Sequence, residues 1–76
     1  MRELVEFVAR SLVDEPQAVR VQERQSDSTV VLQLQVARDD VGKVIGKHGR
    51  TAHALRLLLS AAAQRRGGKA VLEIQE

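Results

Sequence analysis

The sequence predicts a small two-layer α+β domain, in which a three-stranded mixed sheet carries helices on one face. Apolar residues recur at helical spacing over residues 2–13 and 50–66. They alternate with polar residues over three shorter runs, 19–24, 29–37 and 69–75. With a short helix at 41–45, the order of elements becomes α-β-β-α-α-β, and such elements bury their apolar sides as two packed layers.

The first predicted helix covers roughly residues 2–13. Leu4, Val8 and Leu12 recur every four residues, with Val5 and Phe7 nearby, and predict its buried side. Phe7 is also expected in the core. Pro16 disfavours helical geometry in the residue before it, so the helix should end ahead of that point.

The next two strands should form an antiparallel hairpin around the polar turn Ser26-Asp27-Ser28. The last strand returns through a helical crossover and can therefore lie parallel to the strand at 29–37. That strand would then occupy the centre of the sheet.

The long helix over 50–66 should begin directly after a glycine loop and end at Gly67-Gly68. Asp39 and Asp40 are expected to cap the preceding short helix. The residues assigned to the core side of the long helix are Ala52, Leu55, Leu58, Leu59 and Ala62.

The loop Gly46-Lys47-His48-Gly49 is the strongest functional signal in the chain. Two glycines three residues apart allow a sharp bend and leave the backbone open to close approach. The helix that follows directs its free N–H groups and positive dipole end at this bend, which favours a bound phosphate. Lys43, Lys47 and Arg50 add positive charge.

The charge distribution supports a polyanion ligand. The net charge of the whole chain is +2, but residues 38–69 carry eight Lys and Arg against two Asp, a local net charge of +6. The alternative explanation is that these charged residues form an ordinary solvent-exposed face of a helix. The chain has no cysteine, no apolar run near the roughly 20 residues that span a bilayer, and no signal-peptide pattern after Met1. A cytoplasmic protein without cofactor or metal is expected.

The run from Asp40 to Ala52 (DVGKVIGKHGRTA), with Ile45-Gly46-Lys47-His48-Gly49 at its centre, resembles a KH domain of the type II arrangement. The likeness extends over nearly the whole of residues 1–76, read as a single KH domain, and is closest to the small stand-alone KH proteins of the KhpA family. It implies single-stranded RNA binding, homodimers, pairing with a larger KhpB (Jag) type KH protein, and roles in RNA chaperoning and cell shape. The residues expected to contact RNA are Lys43, Val44, Ile45, Gly46, Lys47, His48, Gly49, Arg50 and Thr51.

A second apolar stripe on the long helix offers an alternative function. Ala54, Leu57 and Ala61 follow one another at helical spacing, away from the core side. They could be scattered surface residues, which are common, or a dimer or partner interface. A protein-interaction module with secondary RNA binding is therefore the rival hypothesis.

Other classes fit the residues less well. Gly42 and Gly46 are one residue too close for a P-loop, and His48 and His53 miss the spacing of a helical metal pair. Without Trp or Tyr, and with Phe7 expected in the core, aromatic base stacking of the RRM or OB type is not expected. No nucleophile has a matching base, so an enzyme is not expected. A DNA-binding helix-hairpin-helix would need no strands.

Overall fold

The computed structural model describes residues 1–75. Its elements are α1 (Arg2–Leu12), β1 (Arg20–Ser26), β2 (Thr29–Gln35), α2 (Val41–Ile45), α3 (Arg50–Arg65) and β3 (Lys69–Ile74), with single 3-10 turns at Pro16–Ala18, Arg38–Asp40 and Lys47–Gly49.

The sheet has the strand order β1-β2-β3, with β2 in the centre. β1 pairs antiparallel with β2, and β3 pairs parallel with β2, so that Leu32 lies opposite Leu72. The predicted hairpin, central strand and parallel return are confirmed. The helix-hairpin-helix alternative does not account for the three strands.

The core lies between the inner face of the sheet and the helices. Leu32 and Leu34 of β2 are fully buried, and Val5, Leu55 and Leu59 of the helices pack into the same cluster. The outer face is polar: Gln33 accepts a hydrogen bond from Arg24 and donates one to Glu73. Helices therefore cover one face of the sheet, as predicted.

The buried side of α1 differs from the prediction. Val5 and Ala9 are the buried residues of this helix, whereas Leu4, Leu12 and Phe7 are exposed, Phe7 to 71%. The small side chain of Ala9 suits a close approach to the sheet, and the larger apolar residues point outward. The assignment of Leu4, Leu12 and Phe7 to the core is wrong.

The core side of α3 needs a smaller correction. Ala52, Leu55 and Leu59 are buried as predicted, but Leu58 is 56% exposed and Ala63 takes a buried place instead. Ala62 is half-buried.

The predicted stop at the end of α3 is confirmed. Gly67, at φ +78°, donates its N–H to Gln64 O at 3.0 Å, and Gly68 donates to Ala63 O at 2.9 Å. This pair of bonds is a Schellman motif, which satisfies carbonyl groups left free at the helix end.

Candidate nucleic-acid interface

The loop between α2 and α3 is held in one tight conformation by its own backbone. Gly46 donates its N–H to Gly42 O at 2.9 Å, and Gly49 donates to Gly46 O at 3.0 Å. Gly46 has φ 82° and ψ 169°, a region that only glycine adopts readily, and Gly49 is left-handed at φ 74°. His48 is also left-handed, at φ 58°, where His occurs more often than most residues.

Three basic or titratable side chains of the loop face solvent. Lys47, His48 and Arg50 are exposed, and the ion pairs formed within residues 1–75 do not include them. Gly49 caps α3 without a side-chain acceptor, and the first N–H of the helix, that of Arg50, donates to Lys47 O. An anion at this end would meet free charge together with backbone donors.

Thr51 and Ile45 flank the loop and are half-buried. The Thr51 side chain lies directly beside Gly46, in the space that a larger residue at position 46 would need. Thr51 therefore supports the shape of the loop, and both residues keep part of their surface accessible.

Val44 was expected among the RNA contacts, but it is 3% exposed and lies in the hydrophobic core. The short helix α2 turns this side chain inward, so the expectation of a direct contact is wrong. Val44 can act only by holding α2 on the core.

Lys43 differs from the other cations because its charge is already paired. Its Nζ lies 3.1 Å from Asp14 Oδ2 and 3.5 Å from Asp40 Oδ1. The hydrogen bond and charge of Asp14, with a further contribution from Asp40, raise the pKa of Lys43 above its ordinary value.

Asp40 occupies the N-cap position of α2, as predicted, but its side chain makes no capping hydrogen bond. It is 2% exposed, and its Oδ2 accepts the N–H of Glu15 at 3.1 Å. Burial by itself raises the pKa of Asp40, but the N–H groups of Asp14 and Glu15 and the Lys43 ammonium lower it overall. The buried carboxylate therefore ties α2 to the segment after α1.

A shallow cleft of about 380 Å³ lies beside the start of α2. It is lined by Gln35, Val36, Arg38, Val41 and Gln75. The two glutamines were not identified as site residues from the sequence, because the cleft joins the ends of β2 and β3 to α2. Only the tertiary structure brings these three segments together.

The stripe Ala54, Leu57 and Ala61 is exposed along α3, Leu57 to 59%. Leu58 widens this surface, and a largely apolar cleft of about 310 Å³ joins it to Val8 of α1. The surface is therefore larger than the sequence pattern indicated.

Within residues 1–75, no three His, Asp or Glu side chains are grouped so that they could hold a metal ion. In the same range, no helix is long and apolar enough to cross a membrane.

A comparison with protein families decides what this loop belongs to. The family model described as the KH domain of KhpA/KhpB matches residues 2–74. The chain belongs to the KhpA/KhpB family of KH domains. Its order of elements, α-β-β-α-α-β, is that of the type II KH arrangement, so the fold implied by the resemblance is confirmed.

Relatives in this family match along nearly their whole length. Proteins named RNA-binding protein KhpA are 53% identical over 72 residues in Treponema pallidum and 49% identical over 74 residues in Clostridium perfringens. The matches cover 95% and 97% of this chain, and 90% and 99% of the relatives. The KhpA of Chlamydia pneumoniae is 43% identical over 76 residues, covering 100% of this chain and 97% of its own. No solved structure matches the chain.

Proposed function

We propose that residues 1–76 form a single KH domain that binds single-stranded RNA through the loop Gly46–Gly49. The observation that carries the proposal is a preformed, solvent-facing bend whose exposed Lys47 and Arg50 are free of ion pairs with other residues of the 1–75 segment. The names of the relatives, RNA-binding protein KhpA, support RNA as the ligand.

The loop would act on the sugar-phosphate chain and not on base sequence. KH domains clamp about four nucleotides with this loop. One phosphate would lie against the backbone of Gly46 and Gly49, where the positive dipole end of α3 favours negative charge. Lys47 and Arg50 would add Coulomb attraction, and binding must weaken as salt concentration rises.

Bases would extend from the loop along the exposed parts of Ile45 and Val41 toward the cleft at Gln35 and Gln75. Amide side chains can donate and accept hydrogen bonds to base edges. Because the protein would bind without chemical change, we propose a binding protein and not an enzyme. In the cell it would act in the cytoplasm as a post-transcriptional regulator or RNA chaperone.

The test is a double substitution in the loop, Lys47→Asp with His48→Asp. Asp tolerates the left-handed conformation of position 48, so the fold should be kept. Binding of a fluorescent single-stranded RNA, measured by anisotropy at physiological salt, should be lost because the clamp becomes negative.

The matched control is Arg65→Asp with Arg66→Gln, which removes as much positive charge at the far end of α3. This helix has 16 residues and is about 24 Å long, so the control site is remote from the loop. The control should retain most of the affinity. If the loop variant still binds while its thermal unfolding is normal, or if both variants lose binding equally, the loop clamp is wrong.

A second candidate function is a protein-interaction module that dimerises or recruits a KhpB/Jag type partner, with RNA binding secondary. The exposed apolar surface of Ala54, Leu57, Leu58 and Ala61 favours it. A continuous exposed apolar patch is typical of association sites. The patch begins next to the loop, because the cleft beside Ala54 and Leu58 is also lined by Arg50 and Thr51. A partner on the patch and an RNA at the loop would therefore lie close together.

A further inference from the structure

The surroundings of Lys43 separate it from the other basic residues near the loop. Its Nζ contacts two carboxylates, Asp14 Oδ2 at 3.1 Å and Asp40 Oδ1 at 3.5 Å. The Lys43 side chain is 44% exposed, whereas that of Asp40 is 3% exposed. Lys43 is therefore already paired with one buried and one exposed carboxylate, unlike Lys47 and Arg50.

The direction of the side chain agrees with this reading. Lys43 lies two residues from both Val41 and Ile45 on α2, which places it about 200° around the helix from each. Val41 lines the cleft beside the start of α2. Lys43 therefore points away from that cleft, toward the segment that follows α1.

The helix that Lys43 anchors cannot be stable alone. α2 has five residues, far below the roughly 12–15 at which an isolated helix becomes even marginal. Asp40, at its start, accepts the N–H of Glu15, and Lys43 joins the same carboxylate to Asp14. These contacts, named here the Asp14–Lys43–Asp40 bracket, connect α2 to the segment that follows α1.

We propose that Lys43 is a positioning residue of the RNA loop and not a phosphate contact: the Asp14–Lys43–Asp40 bracket fixes α2, and α2 presents Gly46–Gly49 in its binding conformation. The part that concerns RNA rests on the proposed function. A preformed loop binds more tightly because less of the population must rearrange before binding.

The first test compares salt dependence in Lys43→Gln and Lys47→Gln. Each phosphate contact on a single strand contributes roughly 0.7 to the slope of log affinity against log salt. Lys47→Gln should lower the slope by about that amount. Lys43→Gln should leave the slope unchanged and lower affinity by roughly two- to fivefold, the factor expected of a partly exposed ion pair. Lys43→Arg, which keeps the positive charge, should retain the affinity of the unaltered protein. An equal loss of slope in both Gln variants overturns the proposal.

The second test measures RNA affinity in Asp14→Asn, because a positioning role and a phosphate-binding role of Lys43 predict changes in opposite directions. If the bracket positions the loop, this variant weakens RNA binding like Lys43→Gln. If Lys43 binds phosphate when free, release from Asp14 raises the affinity, which overturns the proposal.

The third test measures hydrogen exchange without RNA, so it still tests the bracket if the protein does not bind RNA. The Gly46 amide, which donates to Gly42 O at 2.9 Å, reports the end of α2. Its hydrogen exchange should accelerate severalfold in Lys43→Gln and in Asp14→Asn, with a return toward normal in Lys43→Arg. Unchanged protection of Gly46 in both variants means that the bracket does not hold α2, and overturns the proposal.

Discussion

Gly46 and Thr51 are packed so closely that a Cβ atom on Gly46 would lie 2.7 Å from the Thr51 Cβ and 2.9 Å from its backbone nitrogen. The same Cβ would also overlap the Thr51 hydroxyl oxygen. At Gly49 the corresponding position is open, and only the φ of +74° disfavours a side chain. The two glycines of the loop are therefore not equivalent.

Gly46→Ala should be much more harmful than Gly49→Ala. At position 46 the added Cβ meets both a Gly-only conformation and Thr51, and we expect a loss of roughly 3 kcal/mol in the free energy of unfolding. At position 49 only the left-handed conformation is penalised, at about 1–2 kcal/mol. Urea unfolding of the two variants measures the difference. Equal losses would contradict an added cost at position 46, both from its Gly-only conformation and from the contact with Thr51.

The loop and the individual strands could be predicted because local chemistry determines both. Alternation along 29–37 identifies a strand with one buried face, and the glycine pair marks a bend whatever surrounds it. The side of α1 that packs on the sheet could not be predicted, because the large apolar residues Leu4, Phe7 and Leu12 lie outside the core. The spacing of apolar residues predicts that α1 is amphipathic. It does not determine which of two neighbouring apolar sides packs against the sheet.

Two site residues show the same limit. Asp40 has the residue type of a helix cap, yet its carboxylate binds Glu15, 25 residues earlier in the chain. Lys43 counts as free charge in a sequence, but a contact with Asp14 pairs it. Both interactions join segments distant in sequence, so composition and spacing contain no signal for them.

Asp40 should make folding stability depend on acid pH. Burial disfavours its charge, but hydrogen bonds from the Asp14 and Glu15 N–H groups and the charge of Lys43 hold its pKa below the ordinary 3.8. The unfolded chain then binds more protons than the folded one as the pH falls below about 5, so stability decreases through the lowered pKa.

Asp40→Asn should lessen this acid loss, because residue 40 no longer titrates. The free energy of unfolding, measured by urea at several values between pH 7 and pH 3, should fall less steeply in this variant than in the unaltered protein. Asp39→Asn, an exposed neighbour with the same change of charge, is the control and should retain the steeper fall. If the free energy of unfolding fell with pH equally in all three proteins, Asp40 would not contribute to the acid dependence of stability.

Leu57→Asp should separate self-association from folding. Leu57 is 59% exposed on α3, beside Ala54 and Ala61, so a charge there costs the monomer little. In a dimer built on this surface the same charge would be buried without a partner, which is strongly unfavourable. Sedimentation velocity should show the unaltered protein as a dimer and Leu57→Asp as a folded monomer with nearly unchanged thermal unfolding. Val71→Asp, which places the same charge on another exposed apolar residue, should remain dimeric. A dimer that persists in Leu57→Asp, or an unaltered protein that is monomeric, would remove this surface as the site of self-association.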